Sequence, residues 1–128
     1  MEESKISHYF EKMDVVWFWV VDWEKAKKFY HEVLGLPISH SEEGVWCEFG
    51  EEGQTKLAIH KWRKDTSPPR EGGGIPAFLV SDVKTAFDEL KISGVKCDEI
   101  RDETQIIIGT FYDTEGNRIQ LVQLPNSG

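Results

Sequence analysis

Residues 13–21 are almost wholly apolar and rich in Val, Trp and Phe, a pattern that predicts a strand buried on both faces. Asp22 ends the run as a helix N-cap, and Glu24 sets negative charge near the positive end of the helix that follows. Ala26, Phe29, Tyr30, Val33 and Leu34 fall on one apolar stripe at helical spacing. Lys25, Lys27, Lys28, His31 and Glu32 occupy the wet side, and Gly35 is placed to close the helix. Three runs with strand character follow at 38–40, 45–49 and 56–62, separated by acidic, glycine-containing turns. Residues 63–74 then hold Pro68, Pro69 and three consecutive glycines, which continue neither a helix nor a central strand.

The second half repeats the first. Residues 75–80 read as an apolar strand, Asp82 as the cap, Val83, Ala86, Phe87 and Leu90 as the helical stripe, and Gly94 as its stop. Asp22 and Asp82, Ala26 and Ala86, and Tyr30 and Leu90 are all separated by 60 residues. Strands are expected at 95–100, 105–112 and 118–124, with 113–117 as the last turn. The unit is strand, helix, three strands, twice. It predicts an N-terminal extension over 1–12, a first βαβββ repeat over 13–62, a linker over 63–74, a second repeat over 75–124 and a tail over 125–128. The fold class is α+β: a curved, mostly antiparallel sheet, each helix covering one face and the concave face left free. Ile6, Tyr9 and Phe10 in the extension are expected to lie on the domain surface.

At 128 residues, with 39% hydrophobic and 30% charged side chains, the chain fits one folded domain or two small repeats around one core. The 15 basic and 23 acidic residues give a net charge of -8, which repels phosphate backbones and anionic lipid, so no nucleic-acid or membrane partner is expected. No run approaches the roughly 20 apolar residues of a membrane helix, and the start lacks the pattern of a secretory signal, so the expected location is the cytoplasm. Cys47 and Cys97 have no metal-clip or redox spacing and read as buried reduced thiols. The glycine triplet lacks the context of a dinucleotide or phosphate loop, and no Gly-x-Ser-x-Gly elbow is present.

Three stretches carry a family resemblance. They are Val21-Asp22-Trp23-Glu24-Lys25-Ala26 with Phe29-Tyr30 and Val33-Leu34-Gly35-Leu36; Leu57-Ala58-Ile59-His60; and the run from Phe111-Tyr112-Asp113 through Gly116-Asn117-Arg118-Ile119-Gln120 to Val122. In this order they resemble the vicinal oxygen chelate superfamily, which includes glyoxalase I, extradiol dioxygenases, and fosfomycin and bleomycin resistance proteins. The resemblance implies the glyoxalase-like fold. It leaves the activity open, because that superfamily spans isomerisation, ring cleavage, thiol addition and drug sequestration. Metal-dependent members take ligands at positions that read Val15, Ala58, Ile75 and Gln120 in this chain. Three offer no lone pair and the fourth is a neutral amide, so the usual metal cage is absent and no cofactor is expected.

Alternation along strands puts Trp17 and Trp19 on the face of Val15, which looks into the cavity in the resembling proteins. Trp46, Glu48 and His60 join them, and Thr110, Arg118 and Gln120 come from the second repeat, with Val122 and Tyr112 nearby. An aromatic set with a few polar handles is the make-up of a small-molecule pocket. The same tryptophans would also serve as core filler or a dimer contact. Gln120 would fix a ligand or satisfy a neighbouring backbone group, and Arg118 would stack on a tryptophan or stay solvated. His60 with Glu48 or His40 is the candidate acid-base pair.

Two function classes follow. The favoured one is a metal-free, homodimeric protein of the bleomycin resistance type that binds a small organic molecule, such as an antibiotic or toxic aromatic compound, with a cationic ligand favoured by the net charge, the tryptophan faces and the Glu48 carboxylate. The alternative is an enzyme, a lyase, isomerase or dioxygenase using unconventional residues such as His60 and Glu48. A cavity-plugged partner-binding domain is the third reading.

Overall fold

A computed structural model describes residues 11–70, 73–102 and 105–125. The expectation for Ile6, Tyr9 and Phe10 lies outside the described residues. Strand β1 (Val15–Val20) leads into helix α1 (Trp23–Lys28), whose last turn, Phe29–Val33, is wider than an α-turn. Strands β2 (Ile38–Glu42), β3 (Trp46–Phe49) and β4 (Lys56–Lys61) complete the first unit. The second consists of β5 (Ala77–Leu79), α2 (Val83–Ile92), β6 (Arg101–Asp102), β7 (Ile107–Tyr112) and β8 (Arg118–Gln123).

The strands form two four-stranded sheets, ordered β1-β4-β3-β2 and β5-β8-β7-β6, rather than one continuous sheet. In each, the first strand pairs parallel with the last and the other pairings are antiparallel. One carbonyl on the outer edge of β1 is taken by the Arg70 side chain, whose Nη1 donates to the Trp19 carbonyl oxygen at 2.6 Å. An extended β5 was expected over 75–80, but Pro76 lacks an N–H and only its carbonyl enters the ladder, accepting from Gln120 N at 2.9 Å.

Both helices begin where an aspartate caps them: Asp22 accepts from Lys25 N, and Asp82 accepts from the Thr85 N–H and hydroxyl, all at 2.8–3.1 Å. The close of the first helix departs from the expected stripe. Leu34 N donates to Phe29 O at 3.0 Å, a five-residue reach that inserts an extra residue into the turn. The insertion turns Val33 out to solvent while Phe29 and Tyr30 stay buried. Gly35 follows with φ of 72°, in the left-handed region that ends the helix.

The strand expected at 95–100 is replaced by a single bridge, Cys97 to Phe111, and the two-residue β6. Lys96, Asp98 and Glu99 are exposed, while Val95, Cys97 and Ile100 pack partly against the core.

One core joins the two units. Val20, Trp23, Ala26, Phe29, Tyr30, Cys47, Phe49, Leu57 and Ile59 from the first meet Val83, Phe87, Phe111, Ile119 and Leu121 from the second. The tip of the Phe87 ring abuts Gly109 of β7, where a Cβ would sit 2.3 Å from Cζ. Both sheets therefore spend one face on this shared core, and the opposite faces are free to carry a site.

Candidate functional site

The free face of the first sheet follows directly from strand alternation. In register, Trp17 stands beside Ala58, Trp19 beside His60, Trp46 beside His60 and Glu48 beside Ala58. Their neighbours Phe18, Val20, Cys47, Phe49, Leu57 and Ile59 point the other way, into the core. Ala58 is fully buried between Trp17 and Glu48 although its side chain is a single methyl.

The aromatic rings pack on one another. Trp17 and Trp19 meet edge-to-face with centroids 4.7 Å apart, and Trp46 approaches Trp17 at 5.9 Å. The His60 ring lies 5.0 Å from Trp19 and 5.7 Å from both Trp17 and Trp46. Trp62, just past the end of β4, extends the cluster at 5.0 Å from Trp19. These are favourable quadrupole geometries, so the four indoles and the imidazole form a pre-set platform. It remains open to solvent, with Trp17 41% exposed.

Two polar groups are built into this platform. Glu48 accepts a hydrogen bond from Trp46 Nε1 at 2.9 Å and is half-buried. Among the described residues it forms no ion pair. His60 Nδ1 donates to the Lys61 carbonyl oxygen at 3.1 Å. The acid-base pair considered from sequence is therefore not formed, since Glu48 is held by Trp46 and His40 approaches Glu42 at 3.8 Å.

A cleft of about 340 Å³ runs along β1, lined by Trp17, Trp19, Pro69, Arg70, Ile75 and Arg118 among others. Its wall is fixed by Arg70, which donates to Glu115 Oε1 at 2.7 Å and to Asn117 Oδ1 at 3.3 Å as well as to the Trp19 carbonyl. Glu115 in turn accepts from Val21 N at 2.7 Å and Asp22 N at 2.6 Å, so the last turn of the second unit holds the end of β1.

Thr110 and Gln120 lie on the free face of the second sheet, where Gln120 Nε2 donates to Thr110 Oγ1 at 3.2 Å. Trp17, Trp19, Trp46, Glu48 and His60 are thus brought together on one sheet, Thr110 and Gln120 on the other, and Arg118 borders the cleft beside Trp17 and Trp19. Trp62 and Arg70 escaped the sequence reading. Trp62 shares the strand parity of Ala58 and His60, a signal that was present; nothing local pointed to Arg70.

Of the positions that hold metal ligands in the resembling enzymes, Ala58 is buried, Ile75 borders the cleft, and the Gln120 amide is engaged with Thr110. Val15 adds no donor. A divalent cation needs several charged or imidazole donors in place of its water, and this set does not fit one. Among the described residues no three His, Cys, Asp or Glu side chains are grouped to hold an ion.

Comparison with known proteins places the chain among relatives. The family model for the Glyoxalase/Bleomycin resistance protein/Dioxygenase superfamily matches residues 5–121. The uncharacterised protein YraH of Bacillus subtilis (strain 168) is 27% identical over 118 residues, covering 82% of this chain and 92% of YraH. The crystal structure of TnmS3, an antibiotic binding protein from Streptomyces sp. CB03234, superposes with a TM-score of 0.75 at 28% identity, covering 90% of this chain and 97% of TnmS3. A glyoxalase/bleomycin resistance protein from the same Streptomyces strain gives a TM-score of 0.65 at 30% identity, covering 86% and 99%.

Proposed function

The chain belongs to the Glyoxalase/Bleomycin resistance protein/Dioxygenase superfamily, and from that premise we propose that it is a metal-free binding protein that holds a small planar organic molecule on the tryptophan face of its first sheet. The observation that carries this reading is the packing of Trp17, Trp19 and Trp46 around His60, with Trp62 against Trp19, on a face where Trp17 is exposed and the other three are half-buried. A folded domain hides its largest apolar side chains unless something else covers them, and a rigid aromatic surface suits a flat ligand. The likeness to TnmS3, an antibiotic binding protein, supports sequestration of an antibiotic or toxic aromatic compound.

The protein acts as a homodimer in this reading. The outer edges of β1 and β5 pair with no strand among the described residues. Leu79, 71% exposed, lies beside Val122 on the second sheet's free face. A second copy laid over both faces would enclose the ligand and cover that leucine.

Titration with three probes of one shape tests the binding reading: quinoline at pH 8, N-methylquinolinium and naphthalene-2-sulfonate, followed by calorimetry and by the indole N–H signals in nitrogen-labelled protein. Saturable binding of at least one, with shifts at Trp17, Trp19 or Trp46 and a loss of about tenfold or more in Trp17→Ala, is expected. Binding by none, or binding unaffected by Trp17→Ala, overturns the reading.

A further inference from the structure

We infer that the tryptophan face selects a cationic aromatic compound, with Glu48 as the residue that pairs with the positive group; this rests on the reading of that face as the ligand site and adds its charge selectivity.

Glu48 is anchored within the aromatic cluster, not extended into solvent. Its Oε2 accepts from Trp46 Nε1 at 2.9 Å, which fixes the carboxylate against an indole, and the residue is half-buried. In register it flanks Ala58 on the side opposite Trp17, so a ligand lying over Ala58 would lie between Trp17 and the carboxylate. Among the described residues Glu43 pairs with Lys27, Glu52 with Lys56, Asp102 with Lys84 and Glu115 with Arg70, and Glu42 lies 3.8 Å from His40. Glu48 makes no such pair among the described residues. A half-buried, oriented carboxylate with no counter-charge among the described residues is free to pair with a bound cation.

The surrounding rings add in the same direction. Indole faces carry negative potential, so Trp17, Trp19 and Trp46 attract a cation that Glu48 also attracts. Glu42 stands beside Trp46 on the same sheet and the chain carries a net charge of -8, so the wider field has the same sign.

Two arginines border the neighbouring cleft and the exposed Lys64 places its Nζ 5.4 Å from the Trp62 ring; these would draw an anion instead. Arg70 is already neutralised by Glu115 at 2.7 Å. Arg118 is exposed, so its charge is screened by water, whereas Glu48 acts from a half-buried position. The balance favours a cation: an ammonium, amidinium or pyridinium-type nitrogen carried on a planar ring system.

The same three probes separate charge from shape. N-methylquinolinium is expected to bind at least about tenfold more tightly than quinoline at pH 8, and naphthalene-2-sulfonate most weakly. Glu48→Gln keeps an acceptor for Trp46 Nε1 and is expected to abolish the preference, the affinity for N-methylquinolinium falling about tenfold or more relative to that for quinoline, while the far-ultraviolet circular dichroism reports the retained fold. Equal binding of cation and neutral probe, a cation preference that survives Glu48→Gln, or tightest binding of the sulfonate overturns the charge assignment while the site stands. Loss of all binding in wild-type protein overturns the site itself.

Discussion

The hydroxyl of Tyr30 donates to Asp113 Oδ2 at 2.7 Å, a bond between two buried side chains 83 residues apart that ties the first helix to the last turn of the chain. Asp113 is saturated: Oδ2 also accepts from Asn117 Nδ2, and Oδ1 accepts from the Glu115 and Asn117 N–H groups, each at 2.8 Å. Burial, helped by the nearby Asp113 charge, pushes the Tyr30 phenol well above its ordinary value.

That shift sets an alkaline limit on stability. The neutral phenol is favoured in the folded state, so the folded protein holds its proton to higher pH than the unfolded chain, whose tyrosines titrate near about pH 10. Stability from this bond is complete below that value and is lost as pH rises through the raised folded one. Tyr30→Phe is expected to cost about 1–2 kcal/mol at neutral pH and to flatten the alkaline fall in urea-unfolding free energy between pH 9 and 11. The remaining slope would come from Cys47 and Cys97, raised by burial, and Tyr112, raised by its bond to Asp98. An unchanged alkaline limb in the variant would show that Tyr30 is not the group responsible.

Gly109→Ala should be strongly destabilising for a steric reason alone. The added methyl would lie 2.3–2.8 Å from three atoms of the Phe87 ring, which is fully buried and has no space to retreat. Overpacking of this kind costs about 1–3 kcal/mol, or roughly 5–12 °C in melting temperature for a domain of this size. Combining Gly109→Ala with Phe87→Leu should restore part of the loss, and strict additivity of the two in thermal melts would show that they do not clash.

Removing the Glu115 carboxylate should disturb the candidate site from a distance. Glu115 satisfies Val21 N, Asp22 N and Arg70 together, and Arg70 holds the Trp19 carbonyl. Glu115→Ala leaves the exposed Val21 and Asp22 N–H groups to water and Arg70 Nη2 without its acceptor, which costs about 1–3 kcal/mol. Arg70→Ala should be milder in stability but should shift the Trp19 indole signal and the tryptophan emission. Unaltered Trp19 resonances in that variant would show that the 63–74 segment does not shape the cleft.

These long-range ties explain which parts of the molecule were legible in sequence. Asp22 and Asp82, Gly35 and the alternation at Trp17, Trp19, Trp46, Glu48 and His60 report local backbone preferences, and the structure forms the caps, the turn and the shared face that those preferences imply. The division into two sheets, the wide turn after Lys28 and the lost strand near Cys97 depend on partners remote in the chain. Arg70 is the clearest case: its role exists only because Trp19 and Glu115 come to either side of it, at separations of 51 and 45 residues.

His60 discriminates a binder from a catalyst. Its Nδ1 is committed to the Lys61 carbonyl, no carboxylate among the described residues bonds its ring, and the ring packs 5.0 Å from Trp19. His60→Ala is expected to weaken probe binding modestly, through lost ring packing. A substrate turned over by wild-type protein roughly a hundredfold or more faster than by His60→Ala would instead assign it general acid-base work.

Metal content provides the remaining test of the site. The family's ligand positions read Val15, Ala58, Ile75 and Gln120, and the Gln120 amide is already bonded to Thr110 at 3.2 Å. A single neutral amide cannot repay the dehydration of a divalent ion, and neither can three aliphatic side chains. Untagged protein expressed in metal-supplemented medium and dialysed against trace-metal-free buffer is therefore expected to retain only substoichiometric transition metal by elemental mass spectrometry. Addition of zinc, nickel or manganese should leave its melting temperature unchanged, since an ion that binds only the folded state raises it by mass action. One firmly held ion per chain, or a metal-dependent rise in melting temperature abolished by Gln120→Ala, would overturn the metal-free reading and direct the search to lyase and dioxygenase substrates.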